Sequence, residues 1–199
     1  MLGLRYYQGS SGILNKIDAG LGDELDLKQP LAYIGQERIP FTKKNVDLMR
    51  KSLFAASKPI HEPVLYRGTP DFWPVILAAY TAPHTKTCEG DRVPPWMRVE
   101  HQDTIHRLFD LGYPVRMTHW LSTSKSRKLA ERFRGVRREE GYLHVIHAAN
   151  EARGVAMPVA NIDEQEVVIQ PGGWLVPVKR SGHVLTWKWT KNASPAAAK

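Results

Sequence analysis

Two glutamates stand one residue apart directly before an apolar run, in the segment Glu164-Gln165-Glu166-Val167-Val168-Ile169. Residues two apart in an extended chain point to the same side, so we expect both carboxylates to emerge together where a strand begins. Like charges this close resist simultaneous ionisation, and the pair is expected to titrate as a coupled unit. Such a pair can bind a cation, take up a proton or stabilise a developing positive charge. A solvated acidic turn before a strand has the same sequence, so the pair alone does not separate these interpretations.

Two further segments carry polar groups beside predicted strands. Arg67 and Gly68 end one apolar run, and the planar guanidinium fork matches a diphosphate or a carboxylate, while glycine leaves room for a ligand. Ser122-Thr123-Ser124 follows another apolar stretch, and its hydroxyls can orient a neighbouring acid or hydrogen-bond a sugar. Taken singly, Arg67-Gly68 is better explained as a surface arginine, and Ser122-Thr123-Ser124 is better explained as an N-cap cluster for the following helix.

Helical patterns dominate the first half of the chain and recur once in the second. Apolar spacing predicts helices over 15–27, 42–57, 99–111 and 125–134, the third stopped by Gly112. Thr42 is predicted to cap the second helix and Ser124 the fourth. In the fourth helix, Leu129 and Phe133 are expected to face inward.

Strand patterns dominate the second half of the chain. An early run at 64–67 is cut by Gly68, and further runs follow at 142–148, 166–170, 174–179 and 183–189. Pro171-Gly172-Gly173 is predicted to join two of them as a hairpin turn. His144 and His147 face opposite ways on one strand and make a poor metal pair. Helices first and strands later favour an α+β fold with a mainly antiparallel sheet or sandwich.

Length and composition limit the classes of protein to which this chain can belong. A chain of 199 residues with 42% hydrophobic and 24% charged residues fits a single globular domain. Its net charge of +8 favours an anionic partner. The single cysteine, Cys88, excludes an intramolecular disulfide and a cysteine-rich zinc site. No run resembles a signal peptide or a membrane span, so we expect no membrane partner and a cytoplasmic location, that of the maker or of a host cell.

The order of the polar motifs along the chain is more distinctive than any one of them. Arg67 comes first, then Ser122-Thr123-Ser124, then Glu164-Gln165-Glu166. This order resembles the arginine, Ser-Thr-Ser and glutamate pattern of the mono-ADP-ribosyltransferases, the branch related to clostridial C2- and iota-type toxins and to phage-encoded host-modifying transferases. The resemblance spans 64–189.

The resemblance implies an α+β fold of one domain over residues 1–191. A mostly helical cap (1–60) would pack on a catalytic region (61–191) built as a mainly antiparallel two-sheet β-sandwich, and 192–199 would form a flexible tail. It also implies NAD as co-substrate, no metal, and transfer of ADP-ribose with release of nicotinamide. Glu166 matches the family's catalytic glutamate, and a glutamate at the position of Glu164 goes with arginine as the acceptor.

The same resemblance assigns the cofactor-binding residues. Arg67 matches the arginine that grips the NAD phosphates, and Gly68 belongs to the same motif. Ser122 matches the serine that orients the catalytic glutamate. Thr123 and Ser124 are expected to support the sheet and the site.

The partner implied by the resemblance is a protein that carries an acceptor arginine. The positive charge favours a target in the transcription or translation machinery, and a phage protein or the toxic domain of an effector would suit such a chain. The loop 150–163 lacks the aromatic residue that relatives often use on the acceptor, so nucleic-acid acceptors stay open. Two alternatives also remain: an NAD glycohydrolase of the same fold, and an inactive nucleic-acid-binding module that uses a basic cluster. That cluster comprises Arg127, Lys128, Arg132, Arg134, Arg137 and Arg138.

Overall fold

The computed structural model describes residues 30–34, 37–40, 43–69, 106, 109–112, 114–117, 119–134, 141–148, 150–157 and 165–192. The predicted helix at 15–27, most of the one at 99–111, Glu164 and nearly all of the predicted tail lie outside these residues. Within the described part, no helix is long and apolar enough to cross a membrane. The elements are, in chain order, β1 (Pro30–Ile34), β2 (Glu37–Pro40), α1 (Lys43–Ala56), β3 (Lys58–Pro59), β4 (Leu65–Thr69), β5 (Val115–Arg116), β6 (Leu121–Ser124), α2 (Arg127–Arg132), β7 (Tyr142–His147), β8 (Arg153–Ala156), β9 (Glu166–Ile169), β10 (Trp174–Ser181) and β11 (Val184–Thr190).

Nine of these strands form one mixed sheet in the order β3-β8-β9-β6-β4-β7-β11-β10-β5. Neighbouring strands run antiparallel except β7 and β11, which are parallel. The fold is therefore α+β with a mainly antiparallel sheet, as predicted.

The large sheet has two halves that meet at a single residue pair, Tyr66 of β4 with Ser124 of β6. Side chains from both halves share one apolar core, in which Ile169 of β9, Ile146 of β7 and Trp187 of β11 are almost fully buried. Burial of this shared core is the main force that holds the halves together, because apolar area removed from water is the dominant favourable term in folding. In place of two separate sheets, the described residues form one nine-stranded sheet that is narrowest between β4 and β6.

Two sequence predictions about strand connections are wrong. Pro171-Gly172-Gly173 does not close a hairpin, because β9 pairs with β6 and β8 whereas β10 pairs with β5 and β11. The segment instead carries the chain from one half of the sheet to the other. Gly68 does not end the early strand either, since β4 continues through it to Thr69, which pairs with Tyr142.

The helical predictions are correct in part. Helix α1 occupies most of the expected range, and Val46, Met49 and Leu53 form its buried stripe. The cap expected to be mostly helical over 1–60 also contains two strands, since β1 and β2 pair antiparallel, and residues 1–29 of it lie outside the described residues. The N-cap of α2 is Ser126 rather than Ser124, because its side chain accepts the backbone N–H of Leu129.

Candidate active site

A cleft of about 160 Å³ opens where β4 and β6 separate beyond their single shared pair. It brings together six of the seven predicted site residues, and the seventh, Glu164, lies outside the described residues. The cleft is lined by Tyr66, Arg67, Gly68, Ser122, Thr123, Ser124, Leu129, Ala130, Phe133 and Glu166.

Strand register places Glu166 beside the hydroxyl of Ser122. Glu166 is the first residue of β9 and pairs with Ser124, and Ser122 lies two residues away on the same face of β6. The Ser122 Oγ donates a hydrogen bond of 2.5 Å to Glu166 Oε1. The backbone carbonyl of Glu166 accepts from the N–H of Met157 on the other side, at 2.9 Å. The Ser122 hydroxyl therefore orients the carboxylate, and the N–H of Met157 anchors the backbone of Glu166.

Arg67 approaches the same serine from β4. Its Nη1 donates to the backbone carbonyl of Ser122 at 2.6 Å. Ser122 thus joins a cation to an anion, through its carbonyl to Arg67 and through its hydroxyl to Glu166. This arrangement presents a positive group for phosphate or carboxylate and a negative group for a developing cation along one cleft.

The chain leading into Glu166 is not extended, contrary to the prediction for the glutamate pair. Gln165 has a φ of 41°, in the left-handed region that non-glycine residues rarely adopt. Its carbonyl accepts the backbone N–H of Lys125 at 3.2 Å. The argument that both carboxylates share one side of an extended strand therefore fails at Gln165, because alternation of sides requires an extended backbone.

Thr123, Ser124 and Gly68 shape the walls of the cleft. Thr123 is buried and its hydroxyl donates to the carbonyl of Val167, which ties β6 to β9. Ser124 Oγ accepts the N–H of Ser126 at 3.0 Å and so leads the chain into α2. A Cβ on Gly68 would lie 1.8 Å from the carbonyl oxygen of Ala130, so glycine there admits the backbone of α2.

The apolar wall from α2 was not anticipated as part of the site. Phe133 was expected to face inward, but its side chain is 54% exposed and lines the cleft with Leu129 and Ala130. Helical spacing placed these residues on one face, but the sequence alone did not show that this face borders a cleft rather than the core.

Two buried histidines lie close enough to Arg67 to feel its charge. Burial first, and the positive charge of Arg67 second, lower the pKa of His119 and of His144 to about 3. Both imidazoles are therefore neutral at pH 7, and neither adds positive charge beside Arg67. Among the described side chains, no three of His, Cys, Asp or Glu are grouped so that they could hold a metal ion.

The predicted basic cluster is partly engaged in internal contacts. Arg134 donates twice to the carbonyl of Gly141, and Arg127 pairs with Glu131 at 3.1 Å. Lys128 and Arg132 are exposed on α2. The two remaining members of the cluster, Arg137 and Arg138, lie outside the described residues.

The fold was compared with solved structures, and the sequence with family models and curated proteins. No family model and no curated protein matches the sequence. The structure is similar to the eukaryotic mono-ADP-ribosyltransferase ART2.2, solved as a mutant in complex with NAD, with a TM-score of 0.53 and 16% identity over 96% of this chain. It is also similar to the enzymatic component C2-I of the Clostridium botulinum C2-toxin, with a TM-score of 0.54 and 13% identity over 96% of this chain.

A third similar structure is the ADP-ribosyltransferase Vis from Vibrio splendidus, solved in complex with agmatine, with a TM-score of 0.52 and 15% identity over the whole chain. The present chain spans 66% of the ART2.2 chain, 43% of C2-I and 75% of Vis. At such identities the likeness establishes a common fold.

Proposed function

We propose that this chain, which has the fold of the mono-ADP-ribosyltransferases, transfers ADP-ribose from NAD to an acceptor and releases nicotinamide. The observation that carries the proposal is the hydrogen-bonded chain from Arg67 through Ser122 to Glu166 on one cleft. Two solved neighbours of this fold, both ART2.2 mutants, are complexes with NAD and with NADH. The cationic and anionic groups of the cleft have the chemistry that a dinucleotide diphosphate and its ribose require.

Binding of NAD is assigned to Arg67 and the strand ends around it. The guanidinium offers a planar fork of donors that matches a diphosphate. Its position at the fork of the sheet directs these donors into the cleft, while the contact with the Ser122 carbonyl limits their motion.

The bond-breaking step is assigned to Glu166. The bond between nicotinamide and ribose breaks with positive charge developing on the sugar, as at other glycosidic centres. A carboxylate already fixed by the Ser122 hydroxyl stabilises that charge without reorganising, which is the main source of electrostatic catalysis. Ser122 acts by keeping the carboxylate in place.

The acceptor is proposed to be an arginine side chain of a partner protein. The Glu-x-Glu sequence supports this choice, and so does the neighbour Vis, whose ligand agmatine carries the same guanidinium group. A guanidinium is cationic at any working pH and must lose a proton before its nitrogen can attack. We assign that proton to Glu164. The net charge of +8 favours a target with an acidic surface, such as a component of the transcription or translation machinery in the cytoplasm.

The proposal is tested with labelled NAD and a bacterial lysate. The wild-type chain is expected to label protein bands and to release nicotinamide. Glu166→Gln keeps the shape of the side chain but removes its charge, and should lower both readouts at least about a hundredfold. The matched control is Glu131→Gln on α2, which loses a carboxylate that does not line the cleft and should keep both activities.

Other results of this experiment would indicate other functions. Nicotinamide release without labelled protein or nucleic acid would identify an NAD glycohydrolase. Label on nucleic acid would identify nucleic acid, rather than a protein arginine, as the acceptor. Salt-sensitive binding of nucleic acid that is indifferent to NAD would favour a binding module, and the absence of nicotinamide release in the same assay would refute the enzyme.

The role of Glu164 is tested separately with agmatine as a soluble guanidine acceptor. Glu164→Gln should lower transfer to agmatine about tenfold or more while nicotinamide release by hydrolysis persists, because only the acceptor needs the second carboxylate. Equal loss of both reactions would contradict the assignment.

A further inference from the structure

Strand β4 is held very unequally on its two sides. On the β7 side five consecutive residues pair, from Leu65 with Ile146 to Thr69 with Tyr142. On the β6 side the pairing is limited to Tyr66 with Ser124, since the sheet forks there to form the cleft. Arg67 therefore takes its position from β7, where its partner in the register is His144.

The imidazole of His144 is completely buried and bridges three strands. Its Nδ1 lies 3.1 Å from Nε1 of Trp187 on β11, and its Nε2 lies 3.2 Å from Oγ1 of Thr69 on β4. An indole N–H can only donate, so Nδ1 must be the acceptor. In the neutral ring the hydrogen is then on Nε2, which donates to the hydroxyl of Thr69. One tautomer satisfies both contacts, and both ring nitrogens are engaged.

We propose that His144 is a positioning residue for Arg67: Trp187 fixes the tautomer of the imidazole, and the hydrogen bond to Thr69 locks the end of β4 so that the guanidinium faces the cleft. Thr69 lies two residues beyond Arg67 on the same face of β4, so the hydrogen bond holds the strand immediately next to the arginine. Both nitrogens of the imidazole already have hydrogen-bond partners. The ring therefore offers no acceptor to the guanidinium of Arg67 and does not hold it away from the cleft. The identification of NAD as the ligand of Arg67 rests on the function proposed above.

Thr69→Val is the direct test, since it removes one hydroxyl and keeps the shape of the side chain. If His144 positions Arg67, the KM for NAD should rise about tenfold while kcat at saturating NAD stays within about twofold, because loss of ground-state binding raises KM alone. If the hydrogen bond between His144 and Thr69 only stabilises the fold, a smaller fraction of the variant molecules is folded and active. In that case the apparent kcat falls and KM is unchanged. The matched control is Ser57→Ala, which removes a buried hydroxyl bonded to Gln170, away from β4, and should leave KM unchanged.

A pair of His144 variants separates the two hydrogen bonds. The amide of His144→Gln reaches the position of Nε2 and can still donate to Thr69. The amide of His144→Asn reaches only the position of Nδ1 and keeps the Trp187 contact. We expect the glutamine variant to retain a KM near that of the wild type and the asparagine variant to match Thr69→Val.

Calorimetric titration with NAD distinguishes failure of this inference from failure of the proposed function. A wild-type chain that binds no NAD refutes the proposed function. A wild-type chain that binds NAD, with Thr69→Val and His144→Asn binding equally well, overturns the positioning role alone. A reduced affinity in both variants, with the Ser57→Ala affinity intact, supports it.

Discussion

At the residue scale, the cleft lined by Arg67 and Glu166 also exposes an aromatic ring. Phe133 is the C-cap of α2, and its ring lines the cleft together with Leu129 while 54% of the side chain remains exposed. Ligand-binding clefts are lined largely by apolar and aromatic side chains, so an exposed ring that lines a cleft is available for contact with a ligand. A flat ring in the same cleft as Arg67, the residue proposed to bind the NAD phosphates, suits stacking with a nucleobase or with nicotinamide.

Phe133→Ala should therefore weaken NAD binding about tenfold, which is within the range found for aromatic stacking on a base. The free energy of unfolding should change by less than about 0.5 kcal/mol, because the ring is largely exposed. Calorimetry and urea unfolding measure the two quantities. Val178→Ala on β10, where the side chain is 59% exposed away from the cleft, is the control and should change neither. An unaltered affinity in Phe133→Ala would remove the ring from the binding site.

At the element scale, the cleft depends on how closely α2 approaches β4. The Ala130 carbonyl and the Arg134 N–H lie against Gly68, where any Cβ would collide with them. The glycine was predicted to make room for a ligand, but in this structure the room is taken by helix backbone. Contact of the cofactor with Gly68 remains a prediction.

Gly68→Ala should displace α2 and destabilise the fold by about 2 kcal/mol, because the clash is with backbone that cannot rotate away. It should also weaken NAD binding, since α2 forms one wall of the cleft. Gly182→Ala is the control: it lies at a φ of 56° in open space and should cost about 1 kcal/mol from backbone strain alone, with NAD affinity unchanged. Equal NAD affinity in Gly68→Ala would show that α2 does not shape the binding site.

At the scale of the whole molecule, stability is tied to pH through two buried histidines. His119 precedes β6 and His144 lies on β7, so each half of the sheet contains one. Their pKa is lowered to about 3, first by burial and then by Arg67, whereas an unfolded chain has the ordinary value of 6.5. The folded state therefore binds fewer protons than the unfolded chain in this range. The contribution of the two histidines to the free energy of unfolding is fully present above pH 6.5 and decreases as the pH falls from 6.5 towards 3.

Between pH 7.5 and pH 5 each histidine should lower the free energy of unfolding by about 2 kcal/mol. Hydrogen bonds from Lys125 and Arg180 lower the pKa of Glu62 and Asp110, and those carboxyls lose their contribution only at pH values below this window. Urea unfolding at the two pH values measures the effect. His144→Gln should remove about half of the pH dependence. His147→Gln, at an exposed position of the same strand, is the matched control for the substitution itself. A stability that is flat from pH 5 to 7.5 would contradict burial of both rings.

Local sequence patterns predicted the individual helices and strands better than they predicted which of them lie side by side. Runs rich in apolar and β-branched residues identified β7, β9, β10 and β11 to within two residues at each end, because such residues favour a pleated, partly buried strand. The same patterns misassigned Pro171-Gly172-Gly173 as a hairpin, since a short glycine-rich connection is compatible with both a turn and a crossover. Phe133 was misplaced because helical spacing defines a face but not what that face contacts.

The sequence by itself determined which groups are available and in what order: Arg67, the Ser-Thr-Ser segment and Glu166, each beside a strand. These features depend on residue type and local spacing, which the chain carries without reference to its fold. Only the tertiary structure decided that β9 pairs with β6, that the sheet forks beyond Tyr66, and that His144 lies opposite Arg67. Those relations depend on how two distant sets of strands bury one common core, and pairing over such separations is not encoded in any local pattern.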